Sequence, residues 1–162
     1  MNRLHAPRVY VETSVWNFAF ADDSPKERDF TRQFFEKVRH GDFEVYASNV
    51  VLAEVQNAPE PRRSDLLRLL DEIAPTILPT SEEASTLAAE LVNSGAVPAR
   101  YDNDAMHIAI AVVANIDTLL SWNFKHIVRS KTRTLVTAAS LVAGYKDIEI
   151  ACPQEVIYDD ER

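Results

Sequence analysis

Short apolar runs alternate with amphipathic segments along this chain. The runs lie at residues 9–11, 43–47, 76–78, 118–122 and 148–151. Runs of this length are typical of strands that are covered on both faces. The segments between them repeat apolar side chains at helical spacing, as Phe30, Phe34 and Val38 do. Strands separated by helices predict a parallel sheet with helices packed on both faces.

Helix boundaries are marked by capping and stop signals. Ser24 with Glu27 and Thr80 with Glu83 have the spacing of capping boxes, and Ser48 is placed to cap the next helix after the second strand. We therefore expect helices at residues 25–41, 49–58, 64–73, 81–92, 104–114, 124–128 and 134–145.

Composition narrows the class of protein. The chain has 162 residues, 46% of them hydrophobic, and no low-complexity linker, which predicts a single domain over residues 1–162. The apolar stretch at residues 9–21 is interrupted by Glu12 and other polar residues, so we expect no membrane span. The only cysteine, Cys152, closes no intrachain disulfide, which fits a cytoplasmic location.

Charge argues against a general nucleic-acid binder, because the net charge is -8 and such affinity comes mainly from Lys and Arg. The acidic residues are unevenly spread, however, and none occurs between Asp117 and Asp147. The basic residues in that interval are either an RNA-binding path or an ordinary solvated helix face. Those of interest are Lys125, Arg129, Lys131 and Arg133.

Four oxygen-bearing side chains occupy positions in apolar strands and helices at which an apolar side chain would be usual. Glu12 and Asn123 each close an apolar strand, at the end where ligands gather in open parallel sheets. Glu54 interrupts an apolar helical stripe, and Asp104 opens a helix that is otherwise nearly all apolar. Burying a carboxylate costs several kcal/mol of folding free energy unless a cation or hydrogen bonds satisfy it. A binding partner must therefore supply roughly that much stabilisation.

A hard divalent cation, Mg²⁺ or Mn²⁺, is the simplest such partner, because it prefers oxygen ligands. The four histidines and one cysteine show no zinc spacing. Each residue also has an ordinary interpretation. Glu54 could lie at a helix edge, Asp104 could be an acid favoured by the helix dipole with Asp102 as the cap, and Asn123 could be a turn residue. If Asp104 is a ligand, we expect Asp102 to be the cap or a supporting residue.

Other side chains near these four have two interpretations as well. His107, one turn after Asp104, either orients that aspartate or is a satisfied core residue. Trp16 and Trp122 either stack on a nucleobase or pack in the core, and core packing is the favoured interpretation.

Four segments resemble the motifs of PIN-domain nucleases, in order and spacing, over about residues 9–150. Residues 11–16, VETSVW, resemble the family's opening VDTSVW, and residues 48–55, SNVVLAEV, resemble its second acidic motif. Residues 101–109, YDNDAMHIA, resemble DALHIA, and residues 120–126, LSWNFKH, resemble the fourth motif.

This resemblance implies a three-layer α/β/α fold with a mainly parallel sheet and a Mg²⁺ or Mn²⁺ site that cleaves RNA. It also implies a VapC-type toxin of a toxin-antitoxin pair, with a possible antitoxin protein as partner and a homodimer as the assembly. Glu12, Glu54, Asp104 and Asn123 match the metal and catalytic positions. Thr13 or Ser14 matches a hydroxyl that supports the first acid.

Two departures from the family pattern keep a second function open. The first position is usually aspartate and the fourth is often aspartate, whereas this chain has Glu12 and Asn123. The leading hypothesis is a metal-dependent endoribonuclease. The alternative is a weak or inactive PIN-like module that binds RNA or a protein, and a nuclease acting on DNA is less favoured.

Overall fold

A five-stranded, wholly parallel sheet forms the centre of the computed structural model, which describes residues 6–158. Across the sheet the strands run in the order β3, β2, β1, β4, β5. The prediction of a parallel sheet is confirmed. The strands are β1 (Arg8–Val11), β2 (Glu44–Ser48), β3 (Thr76–Leu78), β4 (Thr118–Leu120) and β5 (Glu149–Ala151).

Helices cover both faces of the sheet, and the three-layer α/β/α arrangement expected from the sequence is confirmed. A single 3-10 turn at Ala99–Tyr101 precedes the sixth helix. In the described range the helices are α1 (Thr13–Phe18), α2 (Pro25–Arg39), α3 (Asn49–Gln56), α4 (Arg62–Ile73), α5 (Glu82–Asn93), α6 (Asp102–Val113), α7 (Ser130–Ala143) and α8 (Pro153–Val156).

The core is centred on β1 and α6. Val9, Tyr10 and Val11 are almost fully buried because β1 pairs with β2 on one side and with β4 on the other. Helix α6 is buried on most of its surface, including Ile108 and Ala109, which explains why its sequence is apolar nearly all round. None of the helices within residues 6–158 is long and apolar enough to cross a membrane.

Two of the three predicted caps are wrong. Ser48 caps α3 as expected, accepting the backbone N–H of Val50 at 3.1 Å. Ser24 precedes α2 but makes no side-chain capping bond, because its ψ of 67° is not extended. Helix α5 is capped by Ser81 and not by Thr80, whose hydroxyl instead donates to the side chain of Asn49.

Several element boundaries also differ from the prediction. Asp102 is the first residue of α6 and makes no capping bond, so it is not the cap. Residues 124–127 form turns, and no helix occurs there. Helix α7 starts at Ser130, four residues before the predicted start, and β4 ends at Leu120. The short helices α1 and α8 were not predicted, because six and four residues are too few to show helical periodicity.

Candidate metal centre

The carboxyl ends of β1 and β4 bring the first and last of the four predicted residues to one edge of the sheet. The pairing of β1 with β4 continues past β1, since the backbone N–H of Glu12 donates to the carbonyl of Leu120 at 3.0 Å. Ser121, which directly follows Leu120, donates its backbone N–H to the carbonyl of Ala151, the last residue of β5. Backbone hydrogen bonds therefore place Glu12 beside the Leu120–Ser121 segment, before any side-chain contact is considered.

Glu12 is 95% buried, and two serine hydroxyls hold its carboxylate. Ser14 and Ser121 donate to Glu12 Oε1 at 2.5 and 2.6 Å. Each serine oxygen also accepts a backbone N–H, from Trp122 at 2.8 Å and from Asn123 at 2.9 Å respectively. Each hydroxyl thus both donates and accepts, and the two together compensate one oxygen of the buried acid.

Glu54 lies on α3 and receives two hydrogen bonds through the same oxygen. Thr13 donates to Glu54 Oε1 at 2.7 Å, and His107 Nε2 lies 2.6 Å from that atom. Partial burial works against the charged form, but these bonds hold the pKa of Glu54 below its usual range. Thr13 therefore supports the second acid, while the adjacent Ser14 supports the first.

His107 is fully buried and bonds to Glu54. Of its two sequence interpretations, the one that paired it with Asp104 is wrong, and the one that made it a satisfied core residue agrees with its burial. Its other ring nitrogen, Nδ1, lies 2.6 Å from the Tyr10 hydroxyl, which lies 2.7 Å from the Ser48 hydroxyl. Burial disfavours a charge on the ring, yet the bond to Glu54 and the nearby carboxylates raise the pKa of His107. A buried polar chain thus connects the cap of α3 to a carboxylate of the site.

Asp104 and Asn123 contact each other at the opposite side of this cluster. Asn123 Nδ2 donates to Asp104 Oδ2 at 3.3 Å, and Asn123 Oδ1 accepts the backbone N–H of His126 at 2.9 Å. A backbone N–H only donates, so this bond fixes which end of the amide is oxygen. Asn123 therefore presents its nitrogen to Asp104.

The three carboxylates influence one another electrostatically. Burial, followed by the negative charge of Glu12 and a smaller contribution from Glu54, raises the pKa of Asp104 to about 6. Charge from His107 and the bond from Asn123 only partly oppose this rise. A carboxyl group whose charge is disfavoured by its acidic neighbours is one that a cation would stabilise.

The donor chemistry of the cluster fits a hard divalent cation. Within the described residues, hydrogen bonds fall on one oxygen of each acid, and Glu12 Oε2, Glu54 Oε2 and Asp104 Oδ1 remain for another ligand. No three carboxylate, imidazole or thiol groups of residues 6–158 already stand together as a ligand set for a metal ion. Oxygen ligands of this kind suit Mg²⁺ or Mn²⁺.

The predicted basic stretch separates into two kinds of residue. Arg129 and Arg133 are used internally, since Arg129 donates to the Ala96 carbonyl at 3.2 Å and Arg133 to the Ile150 carbonyl at 3.1 Å. Lys125 and Lys131 are exposed. Asp102, expected as a cap or supporting residue, is also exposed.

Ser121, Tyr10 and Ser48 contribute to the site but were not predicted in these roles. Ser121 carried a usable signal, because it is a polar residue inside an apolar strand two positions before Asn123. Tyr10 had no such signal. Trp16 and Trp122 are buried, which confirms the favoured interpretation that they pack in the core.

Together the sheet and the site define an α/β/α protein with a cluster of acidic side chains at the carboxyl edge of its parallel sheet. The family model of the PIN domain matches residues 9–126, which is most of the chain. The chain therefore belongs to the PIN domain family, and the resemblance seen in its four motifs is confirmed. Members of this family are generally nucleases, which supports a hydrolase activity.

Solved structures agree with this fold. A chain of VapBC2 from Rickettsia felis, bound to a DNA fragment from their promoter, is 17% identical with a TM-score of 0.57, covering 90% of this chain and 98% of that one. A chain of FitAB bound to the IR36 DNA fragment is 15% identical with a TM-score of 0.55, covering 90% and 94%. At such identities the likeness concerns the fold alone. No curated protein matches the sequence.

Proposed function

We propose that this chain is a metal-dependent endoribonuclease that hydrolyses RNA phosphodiester bonds with Mg²⁺ or Mn²⁺. The observation that carries the proposal is the acidic cluster, in which Glu12, Glu54 and Asp104 each have one oxygen without a hydrogen bond among the described residues. Burial, followed by the negative charges of Glu12 and Glu54, raises the pKa of Asp104 to about 6. A fold that brings carboxylates together at a sheet edge, where the charge of Asp104 stays disfavoured in spite of the nearby His107, is suited to binding a cation.

In this proposal Glu12, Glu54 and Asp104 hold the ion. A bound Mg²⁺ or Mn²⁺ supplies a polarised water and stabilises negative charge on phosphate oxygens. Ser14 and Ser121 fix the carboxylate of Glu12.

The remaining residues of the site would position these acids. Thr13 and His107 fix Glu54 through Oε1. Asn123 serves as a positioning residue for Asp104, because its own oxygen already accepts the His126 N–H.

Biological context is proposed on two grounds. Family membership and the fold of the VapBC2 and FitAB chains support a toxin of a toxin-antitoxin pair that acts in the cytoplasm, with an antitoxin protein as its partner. We propose a homodimer on the ground of family resemblance, and a single domain on the ground of chain length and composition.

An RNA-binding or protein-binding module with little activity is the second candidate. Two hydrogen bonds favour it, because each occupies an oxygen that an ion would otherwise use: the His126 N–H donates to Asn123 Oδ1, and His107 Nε2 lies close to Glu54 Oε1. Both bonds leave further lone pairs, so the ribonuclease remains the leading proposal.

Cleavage of structured RNA and of matched DNA, measured with Mn²⁺ and with EDTA, tests the proposal. We expect wild type to cut RNA only with the metal, and Asp104→Asn to lose activity on the order of a hundredfold or more. Asp71→Asn, an exposed aspartate on α4, is the matched control and should cut normally. RNA binding without cleavage would favour the inactive module, and preferential cutting of DNA would exclude the ribonuclease.

A further inference from the structure

Two exposed aromatic side chains border the candidate metal centre. Tyr101 is 37% exposed and precedes Asp104 by three residues, and Phe124 is 54% exposed and directly follows Asn123. Within residues 6–158, Tyr158 is the other large aromatic side chain exposed to this extent. Rings of this size usually bury most of their surface, so their exposure beside a site points to a ligand.

Both rings are held by neighbours that are themselves part of the site's framework. The Tyr101 ring stacks on His126 with centroids 4.0 Å apart and an interplanar angle of 29°. The Phe124 ring contacts Trp122 edge to face at 6.0 Å. Phe124 and His126 belong to a single turn, whose backbone bonds to Asn123. The two exposed rings therefore flank the same turn.

Positive charge accompanies each ring. Arg100 precedes Tyr101 and Lys125 follows Phe124, and both basic residues are exposed. Aromatic side chains interleaved with basic ones are the usual means of binding single-stranded nucleic acid, in which bases stack on the rings and cations follow the phosphates. Bases paired in a duplex are already stacked and do not offer their faces to a protein.

We propose that Tyr101 and Phe124 form a stacking platform for unpaired nucleobases next to the phosphate at the metal centre. This inference rests on the proposed function and assigns two residues that would hold the bases of its substrate beside the metal centre. Selection of unpaired RNA then comes from the rings, whereas the basic residues contribute attraction that is independent of sequence.

Fluorescence anisotropy with a short unstructured RNA, in EDTA so that no cleavage occurs, tests the platform. Tyr101→Ala and Phe124→Ala should each weaken binding about five- to a hundredfold, which corresponds to the usual stacking contribution of one base. The salt dependence should stay unchanged, because no phosphate contact is lost. Tyr101→Phe and Phe124→Tyr keep the rings and should bind like wild type.

Two controls separate stacking from general damage. Leu141→Ala removes an exposed apolar side chain near the end of α7, a helix whose carboxyl end lies toward the opposite edge of the sheet, and should change nothing. An RNA of equal length with abasic positions should bind wild type as weakly as normal RNA binds the alanine variants. A duplex of the same sequence should also bind poorly.

The outcomes distinguish this inference from the proposed function. If the alanine variants bind RNA as tightly as wild type, and wild type binds abasic RNA as tightly as normal RNA, the platform is wrong and the ribonuclease proposal stands. If wild type binds no RNA at low salt in EDTA, the platform is wrong. The ribonuclease proposal falls as well only if wild type also fails to cut RNA with Mn²⁺.

Discussion

Replacing Asp104 with asparagine should stabilise the metal-free protein. The pKa of Asp104 is raised from 3.8 to about 6, so the folded state disfavours the charged carboxylate. At 1.36 kcal/mol per pH unit, this difference corresponds to at most about 3 kcal/mol at neutral pH. Asp104 is only partly buried, and solvent screening reduces the expected gain to roughly 1–2 kcal/mol. The hydrogen bond with Asn123 survives, because asparagine also offers a carbonyl oxygen.

The gain should depend on pH with a defined sign. Because the folded pKa is raised, the penalty is present above about 6 and vanishes below 3.8. The advantage of Asp104→Asn should therefore be full at pH 7.5, roughly half as large at pH 5 and absent near pH 3.5 if the protein is still folded. For a chain of this length, about 1–2 kcal/mol raises the melting temperature by roughly 2–8 °C.

Urea unfolding in EDTA at several pH values measures this effect, with Asp71→Asn as the control. Adding Mn²⁺ should then reverse the order, because wild type gains about 2.7 kcal/mol at a hundred times the dissociation constant while the variant loses a ligand. An Asp104→Asn protein that is less stable than wild type in EDTA, or an advantage that does not change with pH, would refute the electrostatic reasoning.

Three further variants test other parts of the site. Glu54→Gln should destabilise the protein by about 1 kcal/mol in urea unfolding, since it replaces a charge-assisted bond with His107 by a neutral one, and an unchanged stability would contradict this. Glu12→Asp should retract the carboxylate from two serine hydroxyls and lower RNA cleavage on the order of a hundredfold, whereas activity above wild type would show that the longer acid displaces the ion. Changing both Lys125 and Lys131 to alanine should reduce the slope of log binding constant against log salt concentration by about 1 to 1.4. An unchanged slope would show that these lysines belong to an ordinary solvated face and make no phosphate contact.

The sheet and the general position of the site were predictable because they depend on local patterns. Apolar runs of three to five residues indicated each strand, and parallel order required Glu12 and Asn123 to reach one edge of the sheet. Glu54 and Asp104 were predicted because each interrupts an apolar helix, which a sequence displays directly, and the motif resemblance pointed to the same two residues. Their role as metal ligands stays a prediction.

The partners of the acids could not be predicted in the same way. Thr13 and Ser14 are adjacent in sequence, yet they bond to Glu54 and Glu12 respectively, because successive residues of α1 point in directions about 100° apart. That helix is too short to be seen in the sequence. The assignment of His107 to Glu54 likewise depends on the crossing of α3 and α6, which is set by tertiary packing.

Assembly of the site requires nearly the whole domain. Strand β1 pairs with β4, so Glu12 meets Ser121 only after about 110 further residues have been made. At synthesis rates of roughly 5–20 residues per second, this takes about 5 to 20 s after the first acid is incorporated. Until then a growing chain holds its acidic residues apart. If the chain is a ribonuclease, it cannot cut RNA during most of its own translation, and truncation before Asn123 leaves a product that lacks the site.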